Sequence, residues 1–262
     1  MDKIIKVATF NIVHMADFSN MFDKYLPKGY NPPSKPNLYI DAIKKFNADI
    51  IGLNEVYNTA DKETNDAHTC QTQKLANGIN YPFSVFARGY TFVERNEDIG
   101  NAVVSRYPIT AFKTIKVPAP KENERRPNEN RWYEDRIIIV ADIDFNGEQI
   151  RFVETHFGLN FLERENMVKE LVKIIDKTKT PLIVAGDFNS LPDEYVLNPL
   201  YARLKSATNE TGKKNVFTFS TFHPQYTLDY IFYSKHFSVI DTEIVDLKLS
   251  DHYPVTATLK LL

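Results

Sequence analysis

The stretch Gly186-Asp187-Phe188-Asn189 follows directly on the apolar run Pro181-Leu182-Ile183-Val184-Ala185. A short apolar run that ends at a turn signal reads as a buried strand, and side chains along an extended segment alternate faces. A carboxylate, Asp187, and a carboxamide, Asn189, are therefore aimed together at one spot past the strand's end. Taken alone, the pair reads more simply as a polar turn after a core strand. The other strand ends weigh against that simpler reading. Residues 4–10 deliver Asn11, residues 49–54 deliver Glu55, and residues 150–155 deliver His156. Asp229 lies inside Thr227-Leu228-Asp229-Tyr230-Ile231-Phe232, and Ser250-Asp251-His252-Tyr253-Pro254 opens a closing strand at Val255–Leu261. Carboxylates, carboxamides and imidazoles gathered in this way are what phosphate chemistry with a hard metal ion requires.

The elements that must position these groups are legible in the periodicity. Tyr39, Ala42, Ile43 and Phe46 share one helical face between the first two strands, with Asn37 as the expected N-cap. Asn160 and Glu163 have the spacing of a capping box, and Val168, Leu171, Val172 and Ile175 continue a helical stripe to Lys177. His156 and Asp187 thus flank a helical crossover. Between Gly100 and Phe157 the pattern turns to strands at 101–105, 109–117, 136–145 and 149–155, with Asn146-Gly147 as a two-residue hairpin signal. Residues 226–233, 237–245 and 255–261 are expected to complete a second sheet. Two long polar stretches bearing proline, residues 15–36 and 117–131, interrupt the regularity, and the first reads as the rim of a substrate cleft or as a disordered surface insertion.

Composition bounds the partners. The 262 residues contain no Gly/Ser linker or compositional break, so one domain spanning 1–262 is expected. Hydrophobic residues at 43% and aromatics at 13% supply a large core. A net charge of -2 and the absence of a long basic run disfavour duplex nucleic acid, which demands a concentrated cationic surface. Residues 121–131 mix both signs and read as a solvated loop, with a phosphate-facing Arg125 or Arg126 as the minority reading. Cys70 is the only cysteine, which excludes an intramolecular disulfide and a cysteine metal cluster. No apolar segment approaches the roughly 20 residues of a transmembrane span. A cytoplasmic monomer is expected, unless an export signal was removed.

The ordered set Thr9-Phe10-Asn11, Leu53-Asn54-Glu55-Val56, residues 100–109, Glu154-Thr155-His156-Phe157, Gly186-Asp187-Phe188-Asn189, Leu228-Asp229-Tyr230 and Ser250-Asp251-His252-Tyr253-Pro254 resembles the endonuclease/exonuclease/phosphatase superfamily, which holds deoxyribonuclease I, abasic-site endonucleases, neutral sphingomyelinases, deadenylases and inositol-polyphosphate 5-phosphatases. The resemblance covers essentially the whole chain. It departs at Asn54, where glutamine is usual, and at Leu228, two positions that bear on substrate contacts more than on chemistry. It implies an α/β, four-layered sandwich of two mixed β-sheets packed face to face with helices outside.

It also implies a divalent-metal-dependent phosphoesterase. Magnesium prefers oxygen ligands, with manganese as a replacement, and the expected ligands are Glu55, Asn11 beside it and Asp251. By the resemblance, Asp187 orients or deprotonates the attacking water, and Asn189 helps to position it or the phosphate. His252, paired with Asp229, faces the phosphate as an imidazolium or acts as a base, while His156 donates a hydrogen bond or proton from the other side. Arg136 reads as a phosphate contact or a structural ion pair; Arg106 reads as structural, as do His14, His68, His223 and His236, with His14 three residues beyond Asn11. The substrate is a phosphate ester: a nucleic acid, a nucleotide, or a phospholipid or inositol head group. The rival reading is a non-catalytic binding module that kept the fold; it should show replaced catalytic groups, and none of these is replaced.

Overall fold

Residues that alternate apolar faces build two sheets, and stripes of helical period cover them. A computed structural model describes residues 3–17, 34–59, 71–92, 97–129, 132–213 and 216–262. Six strands form the first sheet, in the order β11 (Phe237–Ile244), β12 (Val255–Leu261), β1 (Ile4–Asn11), β2 (Ile50–Thr59), β4 (Glu97–Ser105), β3 (Phe83–Phe92). Six more form the second: β5 (Ile109–Val117), β6 (Arg136–Phe145), β7 (Glu148–His156), β8 (Leu182–Asp187), β10 (Asp229–Tyr233), β9 (Lys205–Ser206). Each sheet contains one parallel pair, β1 with β2 and β7 with β8, among antiparallel neighbours. A parallel pair needs a crossover. Helix α1 (Pro36–Phe46) supplies the first and α3 (Phe161–Lys177) the second.

Away from the bulges, alternation assigns strand residues to layers. Ile5 and Val7 of β1, Phe152 of β7, Ile183 and Ala185 of β8 and Val255, Ala257 and Leu259 of β12 pack into one core between the sheets. Ala8 and Phe10 of β1 face outward against Tyr39, Ile43 and Phe46 of α1 and Leu75 of α2 (Gln71–Gly78). Val153, Leu182 and Val184 face outward against Met167, Leu171 and Ile175 of α3. The result is the expected four-layered α/β sandwich of two mixed sheets with helices outside.

Several local expectations are met residue by residue. Asn146 and Gly147 both have positive φ, 55° and 87°, as the turn between β6 and β7 demands. At the start of α3, Glu163 Oε2 accepts the Asn160 N–H at 3.2 Å. Others are corrected. Strands β11 and β12 belong to the first sheet, not the second, because β12 pairs along β1 from Ile4↔Lys260 to Thr9↔Val255. Strand β10 begins at Asp229 rather than 226, because Tyr226 forms only an isolated bridge with Phe219. Lys35, not Asn37, caps α1, because Pro36 takes its first turn, where the missing N–H costs nothing. Of the loop at 15–36, residues 18–33 lie outside the described residues, as do His68 and Cys70.

Candidate active site

The parallel pairs aim their C-terminal ends at one end of the sandwich. In the second sheet, His156 of β7 and Asp229 of β10 flank Asp187 of β8 in register, so three side chains stand abreast on the inward face. Asn11 faces them from β1: its Nδ2 lies 3.2 Å from Asp187 Oδ2 and 3.0 Å from Glu55 Oε1, while its Oδ1 accepts the Val13 N–H at 3.2 Å. The amide that was expected among the metal ligands thus bridges two carboxylates.

Glu55 reaches the site through a local irregularity. Its neighbour Asn54 already points between the sheets, so in a regular strand Glu55 would point away. The pairing of β2 with β4 slips between Leu53 and Val56, and Glu55 takes φ of 54°. Such bulges re-aim side chains and occur beside functional sites. Asn189 is turned likewise. Strand β8 stops at Asp187, whose Oδ1 accepts the Asn189 N–H at 2.8 Å, and Asn189 adopts φ of 45°. The extended geometry expected for residues 187–189 is therefore an Asx turn. Phe188, between them, is buried against Phe157 and Tyr230 and anchors that turn. The carboxamide of Asn189 donates to Phe157 O at 2.9 Å and lies 3.3 Å from His156 Nε2.

Asp187 Oδ2 is the point of convergence. His156 Nε2 and His252 Nε2 both lie 3.6 Å from it. His252 Nδ1 lies 2.9 Å from Asp229 Oδ2, and its ring is tilted against Phe219 at 4.7 Å between centroids. Ser250 Oγ lies 2.7 Å from Asn11 O and accepts the His252 N–H at 3.2 Å, tying the loop before β12 to the end of β1. The ligand atoms of Asp187, Asp229 and His252 lie within 4.8 Å of one another, close enough to share an ion, but the hydrogen bond between Asp229 and His252 already engages two of the three.

Burial and charge push the protonation states apart. Burial would lower the pKa of His252, but the charges of Asp229 and Asp187 overcome it and hold the imidazole well above its usual range. His156 is driven well below its usual range by burial, then by Arg136 and His252. Asp187 is raised, by burial first and by Asp229 next, with His252 opposing. Glu55 is raised by burial and by the charge of Asp251, and burial raises Asp251. One imidazole is thus charged, the other neutral, beside a carboxyl group poised to exchange a proton, the pattern that separates acid from base.

These groups open into a cleft of about 400 Å³. Glu55, His156, Asp187, Asn189, Asp251 and His252 line its polar part; Trp132, Leu159, Phe219 and Leu228 contribute apolar walls. Arg136 also lines it. One of its terminal nitrogens pairs with Glu134 at 3.2 Å, and its buried Nε has no hydrogen-bond partner. A family model described as "Endonuclease/Exonuclease/phosphatase family" matches residues 21–252. The chain belongs to the endonuclease/exonuclease/phosphatase family. Members of this family hydrolyse phosphoester bonds. The uncharacterized protein YbhP of Escherichia coli K12 is 27% identical over 237 residues, 84% of this chain and 87% of YbhP. An endonuclease/exonuclease/phosphatase structure from Beutenbergia cavernae superposes with a TM-score of 0.74 at 22% identity, over 98% of this chain and 72% of that one. A mannosyl-6-phosphatase from Bacteroides thetaiotaomicron superposes with a TM-score of 0.69 at 15% identity, over 97% and 99% of the two chains.

Asn54 lines no part of the cleft and is fully buried between the sheets, whereas Leu228 does line it. The departure at Asn54 therefore concerns the scaffold, contrary to the expectation that it touches substrate. His14 stacks on Tyr57 at 4.4 Å, and His236 Nδ1 lies 3.0 Å from Ser234 Oγ. Arg106 pairs with Asp49 at 3.1 Å. Arg125 and Arg126 lie over the rings of Tyr133 and Phe161, outside the cleft lining. Exposed Trp132 and Leu159 and half-buried Phe219 were not singled out by sequence, since an apolar residue in a loop carries no periodic signal.

Proposed function

We propose that the chain, acting as one domain, is a divalent-metal-dependent phosphoesterase that hydrolyses a phosphodiester or a phosphomonoester, with magnesium as its ion and manganese as a substitute. The observation that carries this reading is that an all-oxygen pair, Glu55 and Asp251, lines one cleft with Asp187 and with His252, whose imidazole is paired to Asp229. The donor set suits a hard cation. The charge of Asp251 raises the cost of ionising Glu55, burial raises that of both, and among the described residues neither is answered by a lysine or arginine in an ion pair. Glu55 and Asp251 would hold the ion, with Asn11 keeping Glu55 in place or adding its carbonyl oxygen. The bound ion supplies positive charge to the phosphoryl oxygens.

The chain's own groups do the rest. Asp187, with its raised pKa, takes the proton from the attacking water at Oδ2. Asn189 and neutral His156, side by side, orient that water or a phosphate oxygen. His252, kept as an imidazolium by Asp229, stabilises charge on the phosphoryl group, and the unpartnered Nε–H of Arg136 offers one more donor. Among the described lining residues, Arg136 and His252 are the cationic groups. Long polyanions are held by many such groups. A cleft of this size with apolar walls favours a compact ester with one phosphate, such as a nucleotide, a sugar phosphate or a lipid head group. The similarity to a mannosyl-6-phosphatase is consistent with a small substrate. The test is a screen of purified protein with magnesium against p-nitrophenyl phosphate, bis-p-nitrophenyl phosphate, nucleotides, sugar phosphates, phospholipids and DNA. Hydrolysis of a small ester well above that of DNA supports the reading, and no hydrolysis of any of them overturns it.

A further inference from the structure

The inward positions of β7 are Ile150, Phe152, Glu154 and His156. The first two belong to the apolar core and the last to the active site, so Glu154 is a carboxyl group one step beneath the chemistry. It is fully buried. A buried polar group is costly unless it is answered. Glu154 Oε1 accepts from Asn54 Nδ2 at 2.8 Å, whereas Oε2 has no hydrogen-bond partner. Space for it comes from Gly52, where an added Cβ would fall 1.6 Å from Oε2.

Asn54 can present its amide either way round, and its surroundings choose. Three acceptors, Glu154 Oε1, Thr155 O at 3.0 Å and Asn101 Oδ1 at 3.3 Å, draw the NH2 to one side. The Asn54 oxygen is thereby turned to the Asp187 N–H, which it accepts at 3.1 Å. Asp187 is the proposed base and Glu55, the residue after Asn54, the proposed metal ligand. We propose that Glu154 is a positioning residue, which fixes the orientation of the Asn54 amide and through it the placement of Asp187 and Glu55. Burial, reinforced by the charges of Asp229 and Asp187, favours its neutral form. Glu154 therefore accepts from Asn54 without adding a further negative charge beneath the site.

The inference rests on the hydrolytic reading for its kinetic consequence, but not for its structural one. Glu154→Gln retains an acceptor oxygen of the same reach and should keep kcat within about threefold of the parent. Glu154→Leu keeps the bulk, removes the acceptor, and should lower kcat at least about tenfold at unchanged KM, without lowering Tm. Amide hydrogen exchange at Asp187 reads the same contact independently of activity. It should be slow in the parent and in Glu154→Gln, and faster in Glu154→Leu. Unchanged kcat and exchange in Glu154→Leu would overturn the inference, as would equal losses in both variants. A parent without phosphoesterase activity would sink the functional reading and leave the exchange at Asp187 to decide this one.

Discussion

His252 and Asp229 form one unit: Nδ1 and Oδ2 lie 2.9 Å apart, with the side chains 6% and 0% exposed. The pairing fixes the ring so that Nε2 faces Asp187 Oδ2. His252→Ala should therefore lower turnover at least about a hundredfold, the lower range for a positioned acid or base. Asp229→Asn preserves shape, removes the charge, and should lower turnover as well. The double variant should be little worse than His252→Ala, because groups that act as a unit are not additive. Multiplicative losses in steady-state kinetics, with folding intact, would show two independent residues.

The same pair sets the pH profile. In the proposed mechanism hydrolysis requires Asp187 deprotonated and His252 protonated, and both groups are raised above their usual ranges. Activity should rise with pH as Asp187 ionises and fall at higher pH as His252 loses its proton. In Asp229→Asn both limbs should move to lower pH, since Asp229 raises both groups. The alkaline limb should move further, because His252 also loses a charged hydrogen-bond partner. A profile of kcat/KM against pH checks this, and an unmoved alkaline limb would count against the dyad.

Stability carries the opposite side of these shifts. Glu55, Glu154, Asp187, Asp251 and His252 all hold protons more tightly in the folded state than in the unfolded chain. Their stabilising contribution is complete below the unfolded pKa values, about 4 for the carboxyls and about 6.5 for histidine, and is lost as pH rises through the folded values. His156 has the reverse sign, losing stability as pH falls below about 6.5. Metal-free protein should thus melt at a higher temperature near pH 6 than near pH 8, and magnesium should narrow the gap by stabilising the ionised carboxylates. Calorimetry that shows the reverse order would mean that these groups are not raised.

The turn of Asn146 and Gly147 offers a control remote from the site. Gly147 has φ of 87° and open space around its Cα, so a methyl group there meets only the conformational penalty. Gly147→Ala should destabilise by about 1–2 kcal/mol in urea unfolding, with kcat unchanged. A neutral effect would show that the turn relaxes to another type.

How much of this was legible follows from which forces act locally. The hairpin turn, the pairing of Asn160 with Glu163, the apolar run of β8 and the alternation of β12 are written in neighbouring residues and could be read directly. Which sheet β11 and β12 join is decided by pairing with β1, across almost the whole chain, and no local pattern encodes it. The bulge that turns Glu55 inward and the Asx turn at Asn189 put non-glycine residues at positive φ, against their own preference, so the sequence suggests ordinary extended chain. The site's polar residues were legible because they stand at strand ends. Glu154 was hidden because alternation marks it merely as an inward residue, and only the missing Cβ of Gly52 on the facing sheet explains how a carboxyl group fits there.

In the proposed mechanism Glu55 and Asp251 hold a divalent ion on which hydrolysis depends. The most direct measurement is hydrolysis of bis-p-nitrophenyl phosphate, or of the best ester from the substrate screen, by parent and Glu55→Gln protein, stripped with EDTA and titrated with magnesium. The account predicts no turnover in EDTA, full recovery in the parent, and recovery in Glu55→Gln only at concentrations at least about tenfold higher, the scale of one lost charged contact. Full activity of the parent in excess EDTA, or superimposable titrations of the two proteins, would contradict it.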